Sequence, residues 1–249
     1  MTKHLYIVTG SSRGLGAALV AELLQPQHVV LGMARHQNAA LSDLAKQRVA
    51  ALTQWAVDLA DPALAAQRLA EWLAAQAPVA SATLINNAGV VSTPAPLGQA
   101  PLAELQVVLR VGLEAALLLS AAFVQATDGW AGPRRVLNIS SGLGRRAMGG
   151  SAAYCAAKAG MDHFTRALAL EQALRPNPAR VASVAPGVVD TDMQVQLRSA
   201  DIAQFPDQAR FAQLHAEGQL VSPQACAHML LARLHRADFG DEPIGDVRD

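Results

Sequence analysis

Cysteine and aromatic residues are scarce in this sequence. Cys155 and Cys226 are the only cysteines, and one pair is too few for the disulfide framework of a small secreted protein. We therefore expect both thiols to be reduced and the protein to be cytoplasmic. Aromatic residues make up 4% of the chain and hydrophobic residues 51%, so alanine, leucine and valine must supply most of the core. That composition is typical of helices packed closely on a sheet that is buried on both faces.

An excess of charge of either sign is also missing. The formal net charge is +0 and the isoelectric point is about 7.1. Such a chain has no overall field that would attract a phosphate backbone or an anionic membrane, so we expect neither nucleic acid nor a membrane as a partner. The first ten residues contain no basic segment followed by an apolar segment and a cleavage site, which predicts that there is no export signal.

Motifs for metal binding and for serine hydrolysis are missing as well. There is no His-Glu-x-x-His sequence and no paired Cys-x-x-Cys, so we expect no metal site. Ser141 lies outside any nucleophile elbow and has no evident histidine and aspartate partners, which excludes a serine hydrolase.

Short apolar runs alternate with amphipathic segments along the whole chain. Because no hairpin signal separates them, the pattern predicts parallel strands joined by helical crossovers, as in a Rossmann-type α/β domain with a doubly wound sheet flanked by helices. No repeat or linker divides the chain, so residues 1–249 are predicted to form one NADP-binding domain. The predicted strands are 5–8, 29–33, 51–57, 82–85, 135–139, 180–184 and an edge strand at 243–247, and the predicted helices are 17–24, 62–76, 101–127, 151–174 and 223–234. The more polar segment 191–218 follows a strand end and is predicted to be a lid over the substrate.

A glycine-rich turn lies between the first predicted strand and the first predicted helix. Small residues there let backbone amides and the helix N-terminus approach a pyrophosphate. The spacing is G-x-x-x-G-x-G, and the alternative is an ordinary tight turn, which the strand before and the helix after make the weaker interpretation. The candidate cofactor-binding residues of the turn are Gly10, Ser12, Arg13, Gly14, Leu15 and Gly16.

The type of nucleotide is indicated at the end of the second strand. NAD-binding proteins of this class carry an acidic residue there, whereas this chain has Arg35, and Arg13 supplies a second cation within the glycine turn. Either arginine alone is more commonly a solvated surface charge. Both together at these positions favour a 2′-phosphate and therefore NADP(H).

Two more turns follow predicted strands and are candidates for cofactor contacts. Asp58 and Leu59 follow the third strand, where the carboxylate could hold the adenine edge or could cap the next helix. Asn87, Ala88 and Gly89 follow the fourth strand, where they could line the cofactor and brace neighbouring loops, or form a plain polar turn.

Three side chains carry the candidate chemistry. Tyr154 and Lys158 are four residues apart on a predicted helix, so they share a face, and the ammonium is expected to lower the pKa of the phenol toward the working pH. Ser141 ends the preceding strand and can hydrogen-bond a substrate carbonyl while Tyr154 exchanges a proton with it. A Tyr-x-x-x-Lys pair alone is a weak signal, but together with the glycine turn and the serine it predicts a carbonyl oxidoreductase.

In the order and spacing of these motifs the whole chain resembles the short-chain dehydrogenase/reductase family. The resemblance implies that Ser141 orients the carbonyl, that Tyr154 is the acid/base, and that Lys158 holds the nicotinamide ribose and tunes Tyr154. It also implies a homodimer or homotetramer formed through the two long helices. The resemblance adds Pro186, Gly187, Val189, Thr191 and Met193 as cofactor-binding candidates, and Ser141, Gly142, Tyr154 and Gly187 as substrate-binding candidates.

A narrower similarity is to sepiapterin reductases and benzil-type diketone reductases within that family. It rests on three stretches: Tyr154 to Lys158, Ala185 to Gln194 and His215 to Val221. It implies an NADPH-dependent reductase of ketones or vicinal dicarbonyls, and it makes Asp246 a candidate substrate anchor, with a solvated carboxylate in the tail as an even alternative.

One position departs from the family pattern. Gly112 stands where the family has an asparagine that holds a water of the proton relay. This departure leaves open a cofactor-binding sensor that is catalytically weak. A generic reductase of hydroxyacyl, steroid or sugar substrates is a second alternative, which depends on the lid residues.

Overall fold

The computed structural model describes residues 3–77 and 79–249. Its centre is one parallel sheet of seven strands in the order β3-β2-β1-β4-β5-β6-β7. This order reverses direction at β1, as the doubly wound prediction requires. The strands are β1 (His4–Thr9), β2 (His28–Ala34), β3 (Ala51–Ala56), β4 (Ser81–Asn86), β5 (Arg134–Ile139), β6 (Ala179–Ala185) and β7 (Ile244–Asp246).

Helices connect the strands and cover the sheet, and four of the five predicted helices begin within one residue of the predicted start. Ser222 caps one of them by accepting a hydrogen bond from the Ala225 amide at 3.1 Å, with Pro223 at its first position. The helices are α1 (Gly14–Leu23), α2 (Ala39–Gln47), α3 (Pro62–Ala74), α4 (Leu102–Leu109), α5 (Ala115–Ala126), α6 (Ala152–Ala173), α7 (Asp192–Arg198), α8 (Gln208–Ala216) and α9 (Pro223–Leu234). Helix α2 is absent from the sequence-based prediction, and a π-helical segment, Arg110–Glu114, joins α4 to α5.

Both faces of the sheet are buried, as the composition predicts. Alternate residues of β1 point to opposite sides: Leu5 and Ile7 pack in one apolar cluster, and Tyr6 and Val8 pack in another. The two clusters enclose the sheet between two helical layers, so the strands are held rigidly and their carboxyl ends form a fixed edge.

The helical run Leu102–Ala126 is long and apolar enough to cross a membrane by length and composition. In this fold Ala115, Leu119 and Phe123 pack in the core on the sheet. Part of the apolar surface of the run is therefore used in the core of this fold.

The segment predicted to be a lid folds into α7 and α8. Phe205, between them, is 0% exposed and stacks on Phe211 with ring centroids 5.7 Å apart. Together with Leu143 and Met148 these side chains form a third apolar cluster, against which Tyr154 packs. The segment is therefore docked over the carboxyl ends of β5 and β6.

Candidate active site

The candidate residues converge at one edge of the sheet. Parallel strands end on the same side, so the turns that follow β1, β4, β5 and β6 lie next to each other. The glycine turn follows β1, the Asn87 turn follows β4, Ser141 follows β5 and Pro186 follows β6. The structure thus places motifs that are up to about 180 residues apart in sequence at one site.

The glycine turn has a geometry that only glycine supports. Gly10 and Gly14 have φ values of +66° and +53°, which favour residues without a Cβ. A Cβ on Gly16 would lie 2.1 Å from the Gly10 carbonyl oxygen. The turn therefore forms a close cradle at the start of α1, where the first amides have no acceptor within the helix. This cradle fits the pyrophosphate of a nicotinamide dinucleotide.

The Asn87 turn braces the glycine turn. The Asn87 side-chain amide donates to the Thr9 carbonyl oxygen at 2.9 Å, and the backbone amides of Asn87 and Ala88 each donate to Thr9 Oγ1 at 3.0 Å. Gly89 lies beside Lys158, since a Cβ on it would be 3.7 Å from Lys158 Nζ. These hydrogen bonds show that the Asn87 turn braces the glycine turn. Thr9, which accepts them, is a further residue of this region and was not among the candidates from the sequence.

The cationic residues at the nucleotide end are exposed. Arg35 follows β2 directly and faces solvent. Arg13 Nη1 donates to Asp192 Oδ2 of α7 at 2.7 Å, which links the glycine turn to the lid segment. Because both members of this pair are exposed, it contributes less than about 1 kcal/mol, and Arg13 can exchange partners.

The structure separates the two interpretations of Asp58. The helix cap is Asp61, whose Oδ1 accepts from the Leu64 amide at 3.4 Å. Asp58 lies three residues before Asp61 and accepts a hydrogen bond from the Ala60 amide at 2.9 Å. Its neighbour Leu59 is buried. Asp58 is therefore not the cap of α3 and is exposed beside β3.

Ser141 begins the turn that follows β5. Its Oγ accepts a hydrogen bond from the Leu143 amide at 3.1 Å, which fixes the side chain at the start of a short 3₁₀ turn, Gly142–Gly144. Gly142 is exposed on that turn, with the Arg146 side chain close by. The hydroxyl is thus held in one orientation beside Tyr154.

Lys158 is buried and holds the backbone of β5. The residue is only 3% exposed, and its Nζ donates a hydrogen bond to the Ile139 carbonyl oxygen at 2.7 Å. Burial lowers the pKa of Lys158 to about 8, although the nearby Asp162 carboxylate opposes this shift. Nζ lies 5.7 Å from the centre of the Tyr154 ring.

The expected effect of Lys158 on Tyr154 is wrong for this structure. Burial raises the pKa of Tyr154 to about 12, and only the hydrogen bond with Ser141 opposes it noticeably. The physical reason is that the phenol sits under the lid cluster, where loss of water disfavours the phenolate. At neutral pH the phenol is protonated, which is the state needed to donate a proton.

The segment after β6 lies between the glycine turn and the lid. Gly187 has a φ of +77°, Val189 is buried and bridges to Val221, and Met193 packs in the cluster that contacts Tyr154. Thr191 touches the glycine turn, because a Cβ on Gly14 would lie 3.3 Å from its Cγ2. The Pro186 carbonyl accepts a hydrogen bond from the buried Cys226 thiol at 3.4 Å.

Asp246 lies opposite Ala185 in the parallel pairing of β6 and β7, next to Pro186. Its carboxylate is bound by Arg248 at 2.6 and 2.7 Å, and these hydrogen bonds lower the pKa of the carboxyl group. Its place at the edge suits a substrate anchor, but Arg248 competes for the carboxylate.

Gly112 has a packing role that the sequence did not reveal. It is buried in the π-helical segment, and a Cβ there would be 3.3 Å from the Ala157 Cβ of α6. Glycine lets this segment approach α6 closely beside Lys158. Close packing against α6 is therefore one physical reason for a glycine at this position.

Comparisons with known proteins agree with this geometry. Residues 4–202 match the family described as short chain dehydrogenase. The chain is 35% identical to benzil reductase ((S)-benzoin forming) of Bacillus cereus over 97% of this chain and 96% of that protein. It is 32% identical to sepiapterin reductase of Rattus norvegicus over 94% of this chain and 92% of that protein. A solved structure of a metagenomic short-chain oxidoreductase in complex with NADP is similar with a TM-score of 0.71, at 27% identity, and the match covers 98% of this chain and 95% of that one.

Proposed function

We propose that this chain, which belongs to the short-chain dehydrogenase family, is an NADPH-dependent reductase of ketones or vicinal dicarbonyls. Its relatives include proteins named as reductases, so the chain is an oxidoreductase that acts on C=O and CH–OH groups. The observation that carries the proposal is that Ser141, Lys158 and a protonated Tyr154 share the edge at which the glycine cradle lies.

The residues have separate tasks in this reaction. The Ser141 hydroxyl holds the substrate carbonyl oxygen, and Tyr154 donates its phenolic proton to that oxygen. Lys158 uses one N–H for the Ile139 carbonyl, which leaves its other donors for the ribose hydroxyls of the cofactor. When bound, the nicotinamide supplies a hydride for the carbonyl carbon. The glycine turn would hold the pyrophosphate.

The surroundings of Tyr154 favour an apolar substrate. Met193 and Cys155 are half-buried and pack with Tyr154 against one apolar cluster, whose own members Met148 and Phe205 are buried. Flat apolar groups gain free energy when such side chains remove them from water. An aromatic diketone of the benzil kind satisfies this surface better than a sugar or a charged hydroxyacyl carrier, which would leave polar groups unpaired. The segment 191–218 would act as the lid.

The substrate class is tested by the oxidation of NADPH, followed at 340 nm, with a panel of carbonyl compounds. We expect benzil to be reduced with the highest kcat/KM, sepiapterin to be reduced more slowly, and a 3-ketosteroid, a ketosugar and a 3-oxoacyl thioester to be poor substrates. A preference for the thioester or the sugar would contradict the dicarbonyl assignment. If the protein binds NADPH but reduces none of these carbonyl compounds, the result supports the alternative of a cofactor-binding sensor.

The choice of NADPH over NADH is tested by Arg35→Ala. Support comes from the exposed cations Arg35 and Arg13 and from the NADP in a similar structure. Loss of a charge-assisted hydrogen bond to the 2′-phosphate should raise KM for NADPH by about tenfold to hundredfold and leave KM for NADH almost unchanged. Arg236→Ala, which removes an exposed arginine paired with Asp238, is the matched control. Equal losses for the two cofactors would refute the assignment.

We also propose a cytoplasmic homodimer or homotetramer. Both cysteines are free thiols, which suits a reducing compartment. The two long helical runs carry leucines exposed on their outer faces, and an exposed apolar patch of this kind indicates a contact between subunits. These leucines are Leu102, Leu117, Leu170 and Leu174.

A further inference from the structure

A buried carboxylate lies one helical turn after Lys158. Asp162 is 1% exposed, and its Oδ1 accepts a hydrogen bond from the Ser183 hydroxyl of β6 at 2.6 Å. Its Oδ2 accepts from Arg145 Nε at 3.2 Å. Asp162 is therefore a carboxylate removed from water, and its two hydrogen-bond partners offset the cost of burying it.

Arg145 connects this carboxylate to two other parts of the site. It directly follows the turn that begins with Ser141, and its Nη2 donates to the Gly245 carbonyl oxygen of β7 at 2.8 Å. The next residue of β7 is Asp246. One guanidinium thus ties the Ser141 turn, helix α6 and the C-terminal strand together.

The close approach of these elements depends on Gly144. A Cβ on this residue would lie 2.9 Å from both Asp162 Oδ2 and the Lys158 carbonyl oxygen. The turn that carries Ser141 is consequently pressed against the part of α6 that carries the lysine. Any larger residue would separate the serine from Tyr154 and Lys158.

We propose that Arg145 and Asp162 are positioning residues for carbonyl reduction: the pair fixes Ser141 relative to Tyr154 and Lys158, and the Asp162 carboxylate holds Lys158 in its charged form. The expected kinetic effects of this inference rest on the proposed function. The expected effect of the pair on the pKa of Lys158 does not, because it can be measured without cofactor or substrate. Neither residue contacts the reacting atoms in this account.

Several charged or titratable groups surround Lys158 in the described part of the chain. Tyr154 and Asp162 share its helix, Arg145 approaches from the turn after β5, and Asp246 lies beyond Arg145 on β7. Ser183 of β6 is neutral. Asp162 stabilises the ammonium of Lys158. Arg145 binds the same carboxylate, and we expect its positive charge to oppose that effect.

Two substitutions should therefore move the titration of Lys158 in opposite directions. In the wild type the pKa of Lys158 is about 8. Asp162→Asn removes the negative charge and should lower the pKa of Lys158 by about one pH unit. Arg145→Gln removes the competing positive charge and should raise it. Asp241→Asn removes an exposed carboxylate that pairs with Arg180 at the amino end of β6, and it serves as the control, with the pKa of Lys158 close to the wild-type value.

Nuclear magnetic resonance of protein labelled at the lysine Cε measures this pKa directly without cofactor or substrate. The chain has three lysines, and the other two, Lys3 and Lys46, are exposed, so the signal of Lys158 stands apart by its low titration midpoint. Lys158→Arg identifies that signal by removing it. Shifts in the same direction, or no shift in either variant, would overturn the proposal.

The kinetic readout is the pH profile of kcat/KM with NADPH and benzil. We expect kcat/KM to fall as pH rises through the pKa of Lys158, and the midpoint of this fall should shift in each variant in the same direction as the pKa measured by titration. We also expect kcat to fall by about tenfold or more in both variants because Ser141 is displaced. If Asp162→Asn does not fold, Arg145→Gln alone tests the proposal, since Arg145 is one-third exposed and easier to replace. An unchanged or lower pKa of Lys158 in Arg145→Gln then overturns the proposal. A wild type that reduces no carbonyl would refute the proposed function and leave the titration as the test of the pair.

Discussion

Tyr154→Phe should lower kcat for benzil reduction by about 10²- to 10⁴-fold while NADPH still binds with wild-type affinity. The phenol is protonated at neutral pH, because burial raises its pKa to about 12, and phenylalanine keeps the ring and its packing while it removes the proton. Under the proposed function the cofactor is held mainly by the glycine turn, Lys158 and Arg35, which the substitution leaves unchanged.

The chain offers a matched control, because Tyr6 is its only other tyrosine. Tyr6 is buried on β1, and its hydroxyl hydrogen-bonds His235 Nε2 at 3.1 Å, far along the sheet from the site. Tyr6→Phe should cost about 1 kcal/mol of stability for the lost hydrogen bond and leave kcat unchanged. Steady-state kinetics and fluorescence titration with NADPH separate these effects. A Tyr154→Phe enzyme with wild-type kcat would show that another group donates the proton.

Gly16→Ala should abolish NADPH binding and destabilise the protein. The new Cβ would lie 2.1 Å from the Gly10 carbonyl oxygen, and backbone on both sides of the turn has no room to retreat. The turn must open, so the amides at the start of α1 no longer converge on the pyrophosphate. We expect the free energy of unfolding to fall by about 3 kcal/mol, at the upper end of the cost of overpacking.

Isothermal titration with NADPH and denaturant unfolding measure the two effects of Gly16→Ala. The control is Gly129→Ala in the turn after α5, where a Cβ would meet no atom within 4 Å. That variant should bind and unfold like the wild type. Wild-type NADPH affinity in Gly16→Ala would mean that the glycine turn is not the pyrophosphate site.

The strands and the place of the site could be predicted from the sequence because both depend on local pattern. Apolar runs such as Leu5 to Val8 must be buried on both faces, and the turns after parallel strands must share one edge. For the same reason Ser141 and Tyr154 could be expected to meet before their geometry was known.

Features that depend on contacts between distant residues could not be predicted in this way. Helix α2 is short and has only two buried residues, Leu41 and Ala45, so little apolar sequence marks it as a helix. The choice between Asp58 and Asp61 as a helix cap turned on a shift of three residues. The pKa of Tyr154 depends on the lid cluster, and the pairing of Arg145 with Asp162 depends on how α6 lies against β6 and β7. Two of these had a signal in the sequence. Asp61 directly precedes Pro62, as a helix cap often does, and Asp162 is a carboxylate four residues after Lys158.

The transfer of a deuteride from the cofactor to a carbonyl carbon tests the central claim most directly. Wild-type protein is incubated with benzil and NADPH that carries deuterium at C4 of the nicotinamide, on one face and then on the other, and the product is examined by mass spectrometry. The account predicts benzoin with one deuterium at the carbinol carbon from one face only, and no such product from Tyr154→Phe on the same time scale. Tight NADPH binding with no deuterated alcohol from either face would contradict it.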